Sequence, residues 1–227
     1  MEAVRVERVT PPGRFAVARY RPVLEGVSCQ VVRAGDDEVS EVLLRGLDSP
    51  LHPGCFEVEA GPPFRDRGPL RWQLTRRGAV FDLEASAGGV TARGIGMTDP
   101  ECDEALLVSW TSDDARPGGI VKYVVRDDHA IDATFTSVIN KAAGYDDVLA
   151  GRATGDTSGG FPGSYSISYD AHDGSVSGPF DWRIAQRGQA FDIDWLAGES
   201  LTLAGFGFAD PEGRRSLIAT YWAAPRQ

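Results

Sequence analysis

The chain has 227 residues, 42% of them hydrophobic and 25% charged, and a formal net charge of −10 at pH 7. This is a globular composition, which excludes a disordered chain, and its acidity repels phosphate backbones and anionic lipid, so neither nucleic acid nor a membrane is expected as a partner. No run approaches the roughly 18 consecutive apolar residues of a membrane span, and the charged opening MEAVRVERVTPPGRF lacks the apolar centre of a signal peptide, so a cytoplasmic location is expected.

Val4 to Val9 reads as a first strand, broken by Pro11, Pro12 and Gly13, and Arg14 to Tyr20 as a second. After these N-terminal strands, residues 1–25, a repeat begins. Gly26 to Arg33 aligns with Gly119 to Arg126, and each segment leads through an acidic turn, Asp36-Asp37 or Asp127-Asp128, into a further strand, Val39 to Leu44 or Ile131 to Val138. The second copy then carries extra sequence, Ile139 to Gly160, with a strand at Val148 to Ala153. The copies rejoin at Pro53-Gly54 and Pro162-Gly163, after which Phe56 and Val58 share one face in the first, and Tyr165, Ile167 and Tyr169 share one in the second.

The clearest part of the repeat follows. GPLRWQLTRRGAVFDLE from Gly68 matches GPFDWRIAQRGQAFDIDW from Gly178 position for position. Trp72, Leu74, Phe81 and Leu83 in one copy, and Trp182, Ile184, Phe191, Ile193 and Trp195 in the other, keep one phase of a period of two. Each copy therefore predicts two half-buried strands joined by a tight turn at Arg77-Gly78 or Arg187-Gly188. In the next strands Gly94, Gly96, Gly205 and Gly207 mark bends or close packing, since no helix follows them to make a phosphate loop. The copies end on Leu106 to Trp110 and Leu217 to Tyr221.

The repeats thus span 26–111 and 119–222, with a Pro/Gly-containing linker at 112–118 and a tail at 223–227. The expected fold is all-β: two tandem antiparallel up-and-down barrels or sandwich-like units, or one pseudo-twofold β domain in which the halves share a sheet. A Gly-x-aromatic-x-Val/Ile strand (Gly54, Phe56, Val58; Gly163, Tyr165, Ile167), a Gly-led strand carrying Trp, a tight Gly turn, a Gly-x-Gly strand and a final Leu-Val-x-Trp together resemble the calycin group, the lipocalins and avidins. Phe56 and Tyr165 stand where a lipocalin carries Trp. The resemblance implies a calycin-like barrel with a cavity for a hydrophobic or aromatic small molecule at its mouth.

Aromatic side chains on the apolar phase serve the core first, but pockets also favour aromatic walls. Trp72, Trp110, Phe135, Trp182, Trp195 and Tyr221 are the ligand-lining candidates, and the second repeat is the richer in aromatics. Tyr123, Tyr165 and Tyr169 set phenol hydroxyls among apolar neighbours, where each must find a partner, and are candidate hydrogen-bond donors or general acids. His52, His129 and His172 fall in turns without metal spacing and read as solvated, while Asp99-Pro100-Glu101 and Asp210-Pro211-Glu212 read as turn openers. Asp82, Glu84, Asp192 and Asp194 lie on the phase opposite the aromatics, which predicts a solvated face. Cys29, Cys55 and Cys102, an odd set without Cys-x-x-Cys spacing, predict reduced thiols and no metal site.

The expected function is that of a cofactor-independent cyclase, isomerase or dehydratase acting on a hydrophobic metabolite in an aromatic-lined cavity. A non-catalytic, lipocalin-like carrier and a structural β module are the alternatives. An enzyme requires a titratable group in the cavity and a carrier does not.

Overall fold

The computed structural model describes residues 15–45, 47, 49–58, 61–64, 69–111, 118–210 and 215–224. The Val4 to Val9 strand, most of the 112–118 linker, Pro211-Glu212 and most of the tail lie outside the described residues. The first eight strands are β1 (Phe15–Val23), β2 (Gly26–Arg33), β3 (Ser40–Leu44), β4 (Gly54–Val58), β5 (Leu70–Arg77), β6 (Val80–Ala87), β7 (Val90–Asp99) and β8 (Cys102–Thr111). The second set is β9 (Gly119–Val125), β10 (Ile131–Ser137), β11 (Leu149–Gly155), β12 (Gly163–Asp170), β13 (Val176–Arg187), β14 (Ala190–Ala197), β15 (Ser200–Ala209) and β16 (Ser216–Ala223), with one short helix, α1 (Val138–Ala142), after β10.

The fold is all-β, in two antiparallel barrel-type units. β9 to β16 close into an eight-stranded barrel, β9 pairing with both β10 and β16. β1 to β8 follow the same order but stay open between β3 and β4. Side chains bridge that seam: Leu44 of β3 and Leu70 of β5 both approach Gly61, and Leu47 and Phe64 from the flanking connections join the same buried core. Strand alternation follows the sequence pattern, as in β5, where Leu70, Trp72 and Leu74 are buried between exposed Arg71, Gln73 and Thr75.

Partner strands correct one alignment. β1 lies between β2 and β8, the place that β9 holds between β10 and β16, so the counterpart of β9 is β1 and not β2. Arg19-Tyr20 then stands opposite Lys122-Tyr123, and β11, which the sequence presents as extra, is the counterpart of β3. From β4 and β12 onward the two alignments agree, Phe56 pairing with Trp72 as Tyr165 pairs with Trp182.

The two interiors form separate hydrophobic cores, one around Trp72 and Trp110 and one around Trp182 and Trp195. A third core lies between the units. It joins outward-facing Phe15, Val17, Met97 and Leu107 of the first to Ile120, Phe206, Phe208 and Trp222 of the second. Phe206 and Phe208 therefore face the junction, and Gly205 faces inward, where a Cβ would press on the Trp195 ring. Asp194, expected on a solvated face, is buried beside Ala204 because that outer face is covered by the junction.

A buried ion cluster crosses the same junction. Lys122 Nζ lies 2.6 Å from Asp99 Oδ1, 3.0 Å from Asp210 Oδ2 and 3.0 Å from Glu101 Oε2, and Arg19 Nε lies 3.0 Å from Asp99 Oδ2. The Asp-Pro-Glu segments are thus more than turn openers, since Asp99 and Asp210 are buried ligands of cations. Near the pseudo-twofold axis, the equivalent hydroxyls of Ser109 and Thr220 meet at 2.6 Å. Burial works against the Lys122 ammonium, but its bonds to Asp99 and Asp210 outweigh that and hold its pKa above the ordinary lysine value.

Removing one partner from a buried ion cluster costs about 3–5 kcal/mol, because the charges left behind remain desolvated. Lys122→Met is therefore expected to lower stability by that order in urea unfolding, while Ser109→Ala, which removes a neutral hydroxyl pair, is expected to cost about 1 kcal/mol.

Candidate functional site

One end of the second barrel holds a cavity of about 230 Å³, lined by Phe135, Tyr169, Trp195 and Tyr221 with Leu149, Phe180 and Leu203, and by the polar residues Asn140, Asp170 and His172. Its volume equals that of roughly eight waters, which suits a ligand of on the order of ten non-hydrogen atoms. Phe135 meets Tyr169 edge to face at 5.1 Å, and Trp195 meets Tyr221 at 5.9 Å.

A hydrogen-bond network backs this wall. Trp195 Nε1 donates to the Tyr169 hydroxyl at 2.7 Å, and the Tyr123 hydroxyl lies 2.9 Å from it. Burial raises the pKa of Tyr123, Tyr169 and Tyr221 well above the ordinary phenol value, so all three remain protonated at neutral pH.

Four of the residues singled out from the sequence therefore line the cavity: Phe135, Tyr169, Trp195 and Tyr221. Tyr123 and Trp182 lie behind the wall, with rings 4.4 Å apart. Tyr165 is turned elsewhere, its hydroxyl donating to the Gly160 and Phe161 carbonyls and its pKa pushed up to about 12 by burial. Trp72 and Trp110 belong to the first unit, where they pack on one another at 5.7 Å and Trp110 Nε1 donates to the Tyr20 hydroxyl at 2.8 Å.

Asn140 and His172 were not legible as site residues. His172, expected to be a solvated turn residue, is almost buried: the Tyr145 ring stacks on it at 3.6 Å with planes 10° apart. Its Nδ1 lies 3.4 Å from Asp147 Oδ1, while its Nε2 is buried with no hydrogen-bond partner from the protein. Asn140 Nδ2 is unpartnered in the same way. The Trp72 and Trp182 indole nitrogens also lack partners, but neither residue lines the cavity. Among the described residues no group of three His, Cys, Asp or Glu side chains is arranged to hold a metal, and no helix is long and apolar enough to cross a membrane.

Most of these contacts come from one strap, the β10–β11 connection, residues 138–148. Ser137 caps α1 by accepting from Asn140 N at 3.1 Å. The strap then runs between the cavity and the first unit. Asp146 takes Arg77 Nη2 at 2.7 Å and its carbonyl accepts from Ala79 N at 2.8 Å, and Lys141 Nζ reaches Asp82 Oδ1 at 2.5 Å. The equivalent turn of the second unit grips the first in return: Arg187 binds Asp37, and Gln189 N donates to the Asp37 carbonyl at 2.8 Å. Both turns need glycine. Gly78 and Gly188 have φ of 54° and 59°, and a Cβ on either would be driven into the carbonyl oxygen of Asp146 or Asp37.

A scan against protein-family models gives no match to the chain, and comparisons with curated proteins and with solved structures give none either.

Gly78→Ala is expected to loosen the strap although residue 78 is in the other unit. Hydrogen exchange over 138–148 should rise several-fold, with about 1–2 kcal/mol lost in stability. Gly188→Ala should instead loosen the loop at Asp36 and Asp37. A separate expectation concerns alkali. Tyrosines whose folded-state pKa is raised keep their protons while the unfolded chain loses them near pH 10. The unfolded state then binds fewer protons, so stability is full below about pH 10 and falls as pH rises past it. Urea midpoints should drop above that pH, and the folded protein should show little phenolate absorbance there.

Proposed function

We propose that the second barrel is the working unit of a cofactor-independent enzyme, of cyclase, isomerase or dehydratase type, acting on a hydrophobic small molecule held in its cavity. The observation that carries this reading is His172. It is a titratable side chain in a largely apolar wall, with its Nε2 buried and unpartnered and its Nδ1 turned to Asp147. A buried polar atom without a partner is costly, and a ligand that hydrogen-bonds to it removes that cost. With the ring proton on Nδ1, the side facing the Asp147 carboxylate, Nε2 carries a lone pair, as a general base requires. The closed barrel with a cavity at one end is compatible with a calycin-like fold.

The largely apolar lining favours a second reading, a carrier for the same class of molecule. Incubating the protein with a small-molecule extract of its own source, followed by mass spectrometry, separates the two. On the enzyme reading one compound is converted to an isomer or a dehydrated product, and His172→Gln lowers turnover by about 100-fold while Trp195 fluorescence still reports binding. A compound bound by both proteins and recovered unchanged from both indicates a carrier. With no binding and no conversion, both readings fall and a structural module is left.

A further inference from the structure

The hydrogen-bond directions around Tyr169 extend this reading to a substrate class. An indole N–H can only donate, so the Tyr169 oxygen accepts from Trp195. The Tyr123 hydroxyl lies 2.9 Å from the same oxygen, where either hydroxyl can be the donor, and because Tyr123 is fully buried we take it as the one that donates. The reverse direction would leave the Tyr123 proton without an acceptor in an apolar core. Tyr169 therefore accepts twice and keeps its own proton to donate. Its side chain lines the cavity, and two incoming bonds polarise the hydroxyl and strengthen it as a donor. Asn140 and His172, the latter three residues beyond Tyr169 in the chain, also line the cavity, and each carries a buried nitrogen, Nδ2 and Nε2, with no partner from the protein.

We propose that the cavity takes a carbonyl compound, with Tyr169 and Asn140 as donors to the carbonyl oxygen and His172 Nε2 as the base for the adjacent C–H. The inference rests on the assignment of this cavity as an enzyme site. In the step, His172 Nε2 takes the proton from the carbon beside the carbonyl. The C–H electron pair becomes a carbon–carbon double bond, and the carbonyl π electrons move to oxygen, where the two donors stabilise the developing negative charge. The imidazolium then returns the proton, either to the same carbon or to a more distant carbon of a conjugated substrate, and the second course shifts a double bond. Atoms and electrons balance without an oxidant or a cofactor. Trp195 and Tyr123 are positioning residues, since they act through Tyr169.

α-Tetralone and tetralin, which match in shape and differ by the carbonyl oxygen, provide the test. Binding is read from Trp fluorescence, and proton abstraction from deuterium uptake beside the carbonyl in D2O. α-Tetralone is expected to bind about three- to tenfold more tightly than tetralin, and Tyr169→Phe should bring the ratio of the two affinities close to one. Deuterium uptake above the buffer rate is expected of the wild type and should be lost in His172→Gln, which should still bind α-tetralone. Equal affinities for the two compounds, or a preference that survives Tyr169→Phe, would overturn the carbonyl assignment and leave the cavity as a binding site. A preference without catalysed uptake would overturn His172 as the base. If neither compound bound, both the carbonyl assignment and the enzyme reading beneath it would fall.

Discussion

Lys122 reaches Asp99 of the other unit across a junction from which water is excluded, and the relative placement of the two units depends on that contact. Ions buried this way gain little net stability, because desolvation offsets most of the attraction. Their value here is directional. A greasy interface of Phe15, Phe208 and Trp222 tolerates sliding, whereas Lys122 bonded to both Asp99 and Asp210, with Arg19 beside them, fits a single arrangement. Held so, each hairpin turn meets a loop of the other unit, and the Arg77-Gly78-Ala79 turn holds the strap that carries Asn140 to the cavity and Tyr145 and Asp147 to His172.

The two units share strand order and diverge in what occupies them. Where the barrel has Trp195 the first unit has Ala85, and where it has Phe135 the first unit has Val31, as the pairing of each with its neighbours shows. In the first unit Leu44, Leu47 and Phe64 pack into the same core as Trp72 and Trp110. In the second, large rings stand around a space, and the Tyr169 hydroxyl among them is bonded to the Trp195 indole N–H and to the hydroxyl of Tyr123 behind the wall. The two copies of the duplicated fold thus differ in the side chains they turn inward, and the junction holds both together.

Period-two alternation made the strands legible, because a half-buried strand must alternate. The duplication was visible wherever turn and core residues coincide, as at Trp72 and Trp182 or Gly78 and Gly188. Alignment by residue type failed over β1 and β2, since both are apolar strands and only hydrogen-bond partners distinguish them. Asp99 and Asp210 read as turn openers and Lys122 drew no notice, because the ion cluster they form lies at a junction that only the packing of the two units creates. His172 was hidden for a similar reason: a histidine between Ala171 and Asp173 reads as a turn, and the Tyr145 ring that shields it arrives from a loop far back in the chain. The aromatic wall, by contrast, was readable from phase alone at Phe135, Tyr169, Trp195 and Tyr221.

The central claim is that the interior of the second barrel holds a small molecule. Native mass spectrometry of the protein produced in its own source, compared with Leu203→Trp, tests it most directly, because Leu203 lines the cavity and an indole there would fill it. The account predicts a bound small molecule on the wild type, at no more than one per chain, that is absent from Leu203→Trp while the variant remains folded. A wild-type chain with no bound mass, or an adduct that persists in the filled variant, would contradict it.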